Sequence, residues 1–169
     1  RQVVIGSSLV AGMRVVVLGA AGSIGSRHVV NLRGLGHDVV AIDPAIDRDI
    51  YDEWPEHVPG NAVVIASPTA HHAEQAMAAI MNGAEAVLVE KPPARTWAEW
   101  APVVLLAERQ LTKLAVGFNW RFHDATEILR DFGPVRNAQF TALDDFANWP
   151  GGGRAHLLQD GVLLISTSH

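Results

Sequence analysis

The run Gly19-Ala20-Ala21-Gly22-Ser23-Ile24-Gly25 joins an apolar stretch, Met13 to Leu18, to a segment of helical spacing. Small residues at such a junction let an anion approach the backbone, and the free amides and dipole of a helix start attract phosphate. The form is GxxGxxG, and a tight strand-to-helix turn is the plain structural alternative. Asp43, 18 residues after Gly25, adds a second chemistry. A carboxylate there accepts hydrogen bonds from ribose hydroxyls and repels a 2′-phosphate. Gly19, Ala21, Gly22, Ser23, Ile24, Gly25 and Asp43 are therefore the candidate dinucleotide contacts, with NAD favoured and NADP left open by the neighbouring Arg48.

Two further groups follow short apolar runs. Ser67, Pro68, Thr69, His71 and His72 come after the third run, and Glu90, Lys91 and Pro92 after the fourth. An ammonium at the edge of a sheet can donate to, or exchange a proton with, a substrate oxygen. By itself Lys91 reads more readily as a solvated surface lysine, and its neighbours give it weight. Adjacent histidines on a helix point about 100° apart, unlike the i, i+4 pair of a zinc helix. With no cysteine in the chain, no metal site is expected.

These residues need elements to hold them. Met13–Leu18, Asp38–Ile42, Ala62–Ala66, Ala86–Val89 and Leu114–Phe118 are short β-branched or apolar runs, as strands covered on both faces are. Between them, helices are predicted over Ser23–Leu32, Thr69–Asn82 and from the capping-box residues Thr96 to Glu99 as far as about Thr112. Residues 45–60 read as a loop. Alternating strands and helices specify an α/β fold, a Rossmann-type doubly wound parallel sheet over residues 13–122. After Arg121 the pattern changes: Asp124–Phe132 is helical, and Val135–Leu143 alternates as a half-exposed strand does. Residues 123–169 are expected to begin an α+β substrate domain that the chain does not complete, so a fragment of a longer protein is anticipated. Residues 1–12 precede the first methionine, Met13, and are set apart.

Composition excludes other classes. Of 169 residues, 49% are hydrophobic and 18% charged, which suits an ordered globular chain. A net charge of -5 without a basic stripe argues against nucleic acid as a partner. No apolar run reaches the ~18 residues that cross a bilayer. Absence of cysteine is compatible with a reducing compartment, and the cytoplasm is the expected location.

Taken in order, Gly22-Ser23-Ile24-Gly25 with His28 after it, Ser67-Pro68-Thr69-Ala70-His71-His72, Glu90-Lys91-Pro92 and Gly117-Phe118-Asn119-Trp120-Arg121-Phe122 resemble the Gfo/Idh/MocA oxidoreductases, the glucose–fructose oxidoreductase and inositol dehydrogenase group. The resemblance implies hydride transfer between a nicotinamide and a carbinol of a sugar, cyclitol or nucleotide sugar. It further implies that Lys91 hydrogen-bonds the reacting oxygen, that Ser67, Pro68 and Thr69 line the nicotinamide half beside His72 and Glu90, and that Arg121 stands near the cofactor edge. His169, closing the run from Gly161, is placed by the resemblance as the candidate acid/base, although Ile165 occupies the position of the family's aspartate. The first glycine of the common GxGxxG pattern falls on Ala20, with Gly19 just before it. A small-molecule, sugar-like substrate and a homo-oligomer are allowed. The alternatives are a dinucleotide-binding module without turnover and a reductase of a non-sugar substrate such as a tetrapyrrole or dihydrodiol.

Overall fold

The computed structural model describes residues 12–47, 54 and 60–122, with Trp120 and Arg121 described in their backbone only. His169, Ile165, Arg48 and the domain expected over residues 123–169 lie outside the described residues.

Five strands, β1 (Arg14–Leu18), β2 (Asp38–Ile42), β3 (Ala62–Ile65), β4 (Ala86–Val89) and β5 (Lys113–Val116), form one parallel sheet in the order β2-β1-β3-β4-β5. Helices α1 (Ser23–Gly34), α2 (Thr69–Met81) and α3 (Trp97–Gln110) follow β1, β3 and β4. This is the doubly wound sheet expected from the sequence. Each β1 residue serves one face. Val15 and Val17 pack with Val29 of α1, while Val16 and Leu18 join Ala76 and Ile80 of α2 and Val103 of α3. Two apolar faces on one strand explain why its sequence shows no polar alternation. Burying an aliphatic side chain of this kind contributes about 1.5–3 kcal/mol, so Val16, Val17, Leu18 and Ile65, all fully buried, anchor the sheet centre.

Helix ends follow local chemistry. In α1, Gly36 adopts a φ of 85°, its amide donates to the Arg33 carbonyl and that of His37 to Leu32, which carries α1 two residues past the expected Leu32. Gly83 closes α2 in the same manner. At the end of α3 the left-handed position is taken by Leu111, φ 57°, so the helix stops at Gln110 rather than near Thr112. Its start is as expected: Thr96 Oγ1 accepts the Glu99 amide at 3.3 Å, while Glu99 reaches back to the amide of Arg95 at 3.1 Å. Pairing of β5 begins one residue earlier than expected and ends at Val116, after which Asn119–Phe122 forms a 3-10 turn.

Register brings the strand ends to one line. Leu18 pairs with Ile42 and Ile65, Ile65 with Val89, and Val89 with Val116. The residues immediately beyond, Gly19, Asp43, Ala66, Glu90 and Gly117, consequently share the carboxyl edge, where open α/β sheets collect ligands. Among the described residues no helix is long and apolar enough to cross a membrane.

Candidate dinucleotide and proton-transfer site

The connection after β1 runs to α1 and β2 on one side, whereas β3 lies on the other, so the edge between β1 and β3 is the topological switch point. Gly19 occupies it. With a φ of 76°, it lies so close to β3 that a Cβ would stand 2.5 Å from the Ser67 nitrogen. A Cβ on Gly25 would collide with the Gly19 carbonyl oxygen, and one on Gly22 would stand 3.2 Å from that oxygen. The three glycines thus fold the turn flat against the sheet.

What this turn can hold follows from its amides. Gly19 and Ala20 donate to the Ile42 carbonyl, Gly22 donates to Gly19, and the first bond into the helix runs from Ser26 to Gly22 at 2.9 Å. The amides of Ser23, Ile24 and Gly25 have no acceptor among the described residues, and Gly22 caps α1 without a side chain. The first turn of α1 also contains no acid that would repel an anion. The residues present therefore fit a pyrophosphate. Ala21 departs from the expected role, because its amide donates to Asp43 Oδ2 at 3.2 Å instead of facing outward. Asp43 Oδ1 accepts the Ala45 amide at 2.9 Å. Each carboxylate oxygen can accept a second bond, which leaves Asp43 able to receive ribose hydroxyls while it ties the turn to β2.

Beyond β3 the expected set divides. Ser67 is half-buried and Pro68 exposed, whereas Thr69 is buried and His72 is 1% exposed. His72 lies inside the edge rather than on it, its Nε2 2.7 Å from the Ser67 carbonyl oxygen and its Nδ1 2.8 Å from that of Pro92. The assignment of its imidazole as a direct cofactor contact gives way to a tie between two loops. Ser67 Oγ donates to Oε1 of the buried Gln75 at 2.5 Å. Gln75 was not singled out from the sequence. Its signal is a polar residue one helical step from His72 on the face of α2 that also carries Ala76 and Ala79.

After β4, Glu90 is held on several sides. Its Oε1 accepts from His28 Nε2 at 2.8 Å, and its Oε2 accepts the Lys91 amide at 3.3 Å. Gly117, beyond β5, lies against the same carboxylate; a Cβ there would stand 3.1 Å from Oε2. Burial, the largest single influence, pushes the Glu90 carboxyl up. The hydrogen bond and charge of His28, with the amide and charge of Lys91, together outweigh it and hold the group below the ordinary glutamate range. Lys91 follows directly, half-buried, and the Lys91–Pro92 peptide is cis. An apolar groove of about 610 Å³ lined by Trp100, Val104, Leu111 and Leu114 runs along the flank between α3 and β5, apart from these groups. No group of three potential metal ligands occurs among the described residues.

Fold and site define a dinucleotide-binding α/β domain. The family model described as "Oxidoreductase family, NAD-binding Rossmann fold" matches residues 13–118, and the chain belongs to this family, Gfo/Idh/MocA. Solved structures agree. The UDP-N-acetylglucosamine 3-dehydrogenase GnnA from Acidithiobacillus ferrooxidans is 25% identical with a TM-score of 0.59, over 72% of this chain and 43% of its own. The WlbA (WbpB) dehydrogenase from Thermus thermophilus, solved with NAD and alpha-ketoglutarate, is 25% identical with a TM-score of 0.60, over 74% of this chain and 48% of its own. The scyllo-inositol dehydrogenase from Lactobacillus casei, with NAD(H) and scyllo-inositol bound, shares the fold at 20% identity and a TM-score of 0.56, over 72% of this chain and 40% of its own. The chain spans less than half the length of these proteins. No curated protein matches the sequence.

Proposed function

We propose that the protein is the cofactor-binding portion of an NAD-dependent oxidoreductase in which Lys91 handles the proton of a sugar-like carbinol or carbonyl. The observation that carries this reading is that Lys91 follows β4 on the same edge at which the anion-accepting turn follows β1, with Glu90 and His28 linking the two. Bound on that edge, the nicotinamide supplies the hydride chemistry. The Ser23, Ile24 and Gly25 amides hold the pyrophosphate, and Asp43 receives the adenosine ribose, favouring NAD over NADP. Ser67 and Pro68 border the nicotinamide side. The Lys91 ammonium donates a hydrogen bond to the substrate oxygen and exchanges its proton as that oxygen changes between hydroxyl and carbonyl.

The sugar or nucleotide-sugar class is supported by the names of the similar structures. A cytoplasmic, homo-oligomeric enzyme is consistent with this reading, as is the division at residue 122. Arg121 and His169 keep their proposed places near the cofactor edge and as acid/base.

Two measurements test the reading. NADH fluorescence should saturate on titration with this chain. A longer chain carrying the segment should turn over a polyol, sugar or nucleotide sugar, and Lys91→Met should lower its kcat by about 10²–10⁴ while NADH still binds. Binding without turnover across such substrates would favour a dinucleotide-binding module, and no binding would refute both.

A further inference from the structure

Lys91 stands between two residues that are each held from outside their own turn. On its amino side, the Glu90 carboxylate accepts from His28 Nε2 at 2.8 Å, and His28 belongs to α1, the helix that opens at the glycine turn. On its carboxyl side, the Pro92 carbonyl oxygen lies 2.8 Å from Nδ1 of His72, which belongs to α2, the helix that opens at Ser67 and Pro68. The other ring nitrogen of His72 meets the Ser67 carbonyl oxygen at 2.7 Å.

We propose that His28 and His72 are positioning residues that clamp the Lys91 turn from two helices, so that the pyrophosphate seat, the Ser67 loop and the Lys91 ammonium form one connected frame. The proposal rests on the reading of Lys91 as the proton-handling group.

Neither grip is a surface contact. The side chains of His28 and Glu90 are 22% and 15% exposed, and His72 is 1% exposed. Glu90 has little freedom to move elsewhere, since the Lys91 amide holds its second oxygen and Gly117 backs it. Carbonyl oxygens only accept, so His72 must donate toward them: one N–H grips one loop, and a doubly protonated ring grips both. A lysine side chain carries large rotamer entropy. Fixing the backbone on both sides of Lys91 confines where its ammonium can go, which is what orientation for proton transfer requires.

The test uses the full chain, NADH, and amine acylation of Lys91 followed by mass spectrometry of the peptide that contains it. NADH at saturating concentration should slow Lys91 acylation about tenfold in the native chain, and His28→Leu, lacking a charge-assisted hydrogen bond, should reduce that slowing to about twofold even when NADH saturates. His28→Gln, which keeps an N–H for Glu90, should restore most of the protection. His72→Gln should lose part of it; if His72 variants do not fold, the His28 pair decides. Full protection in saturated His28→Leu would overturn the clamp. NADH that binds the native chain but leaves Lys91 acylation unchanged would overturn the assignment of Lys91 to the site, and the clamp with it. Failure of the native chain to bind NADH would instead overturn the cofactor reading, removing the frame's purpose.

Discussion

Asp43 Oδ2 accepts the amide hydrogen of Ala21 at 3.2 Å, so the acid at the end of β2 is fastened to the turn after β1. In the proposed function the same carboxylate shapes the pyrophosphate seat and receives the ribose. Asp43→Ala removes both functions. NADH affinity should fall about tenfold, and stability by about 1 kcal/mol from the orphaned Ala21 and Ala45 amides. Affinity for NADPH should fall less, because the carboxylate that repels its 2′-phosphate is gone. Parallel fluorescence titrations check this: an unchanged NADPH-to-NADH ratio would show that Asp43 does not face the ribose.

The glycines offer an internal contrast. At Gly25 an added Cβ meets the Gly19 carbonyl, which is backbone and cannot swing aside, whereas at Gly34, the last residue of α1, nothing lies within 4 Å. Gly25→Ala should forfeit NADH binding and lower the melting temperature by several degrees, the cost of forcing the turn off the sheet being about 1–3 kcal/mol. Gly34→Ala should bind NADH normally and gain up to about 1 kcal/mol from helix propensity. Equal effects at the two positions would refute the close-approach role assigned to Gly25.

The Glu90 carboxyl titrates below its ordinary range in the folded chain. A group with a depressed folded value contributes stability that is fully present above its unfolded value of about 4.3 and is lost as pH falls through the folded value. Native protein should thus show an acid-side loss of stability that Glu90→Gln lacks, with the two converging as the pH drops through that window. Urea denaturation at a series of pH values reads the difference. His28→Leu removes a principal lowering influence and leaves burial to push the carboxyl up, so its acid-side loss of stability should be smaller than that of the native chain and be complete at higher pH.

Much of this architecture could be read from the chain. The β-branched runs, the glycine turn, Asp43 and the Glu90-Lys91-Pro92 sequence each carry local signals, and parallel register then places them on one edge without further information. Ties between distant residues carried no such signal. His28 and Glu90 are 62 positions apart, and His72 reaches Pro92 across 20. Their pairing depends on how α1 and α2 pack on opposite faces of the sheet, which spacing along the chain does not encode. His72 was readable as a motif residue but not as a buried one, because a histidine beside a helix start is compatible with either side of the edge.

Leu111 illustrates local chemistry that runs against the sequence preference. Three helices end in left-handed residues, and two of those are glycines, Gly36 and Gly83. The third, Leu111, holds φ at 57° although its side chain is 89% exposed and gains little from burial. A left-handed conformation costs a non-glycine residue about 1–2 kcal/mol, and replacement with glycine removes the strain while returning part of the gain as unfolded-chain entropy. Leu111→Gly should therefore stabilise the chain by about 0.5–1 kcal/mol, with NADH affinity unchanged because α3 ends on the opposite side of the sheet from the carboxyl edge. Thermal unfolding of the two proteins at equal concentration reads the shift. A loss of stability would mean that the Leu111 side chain makes a contact worth more than its backbone strain.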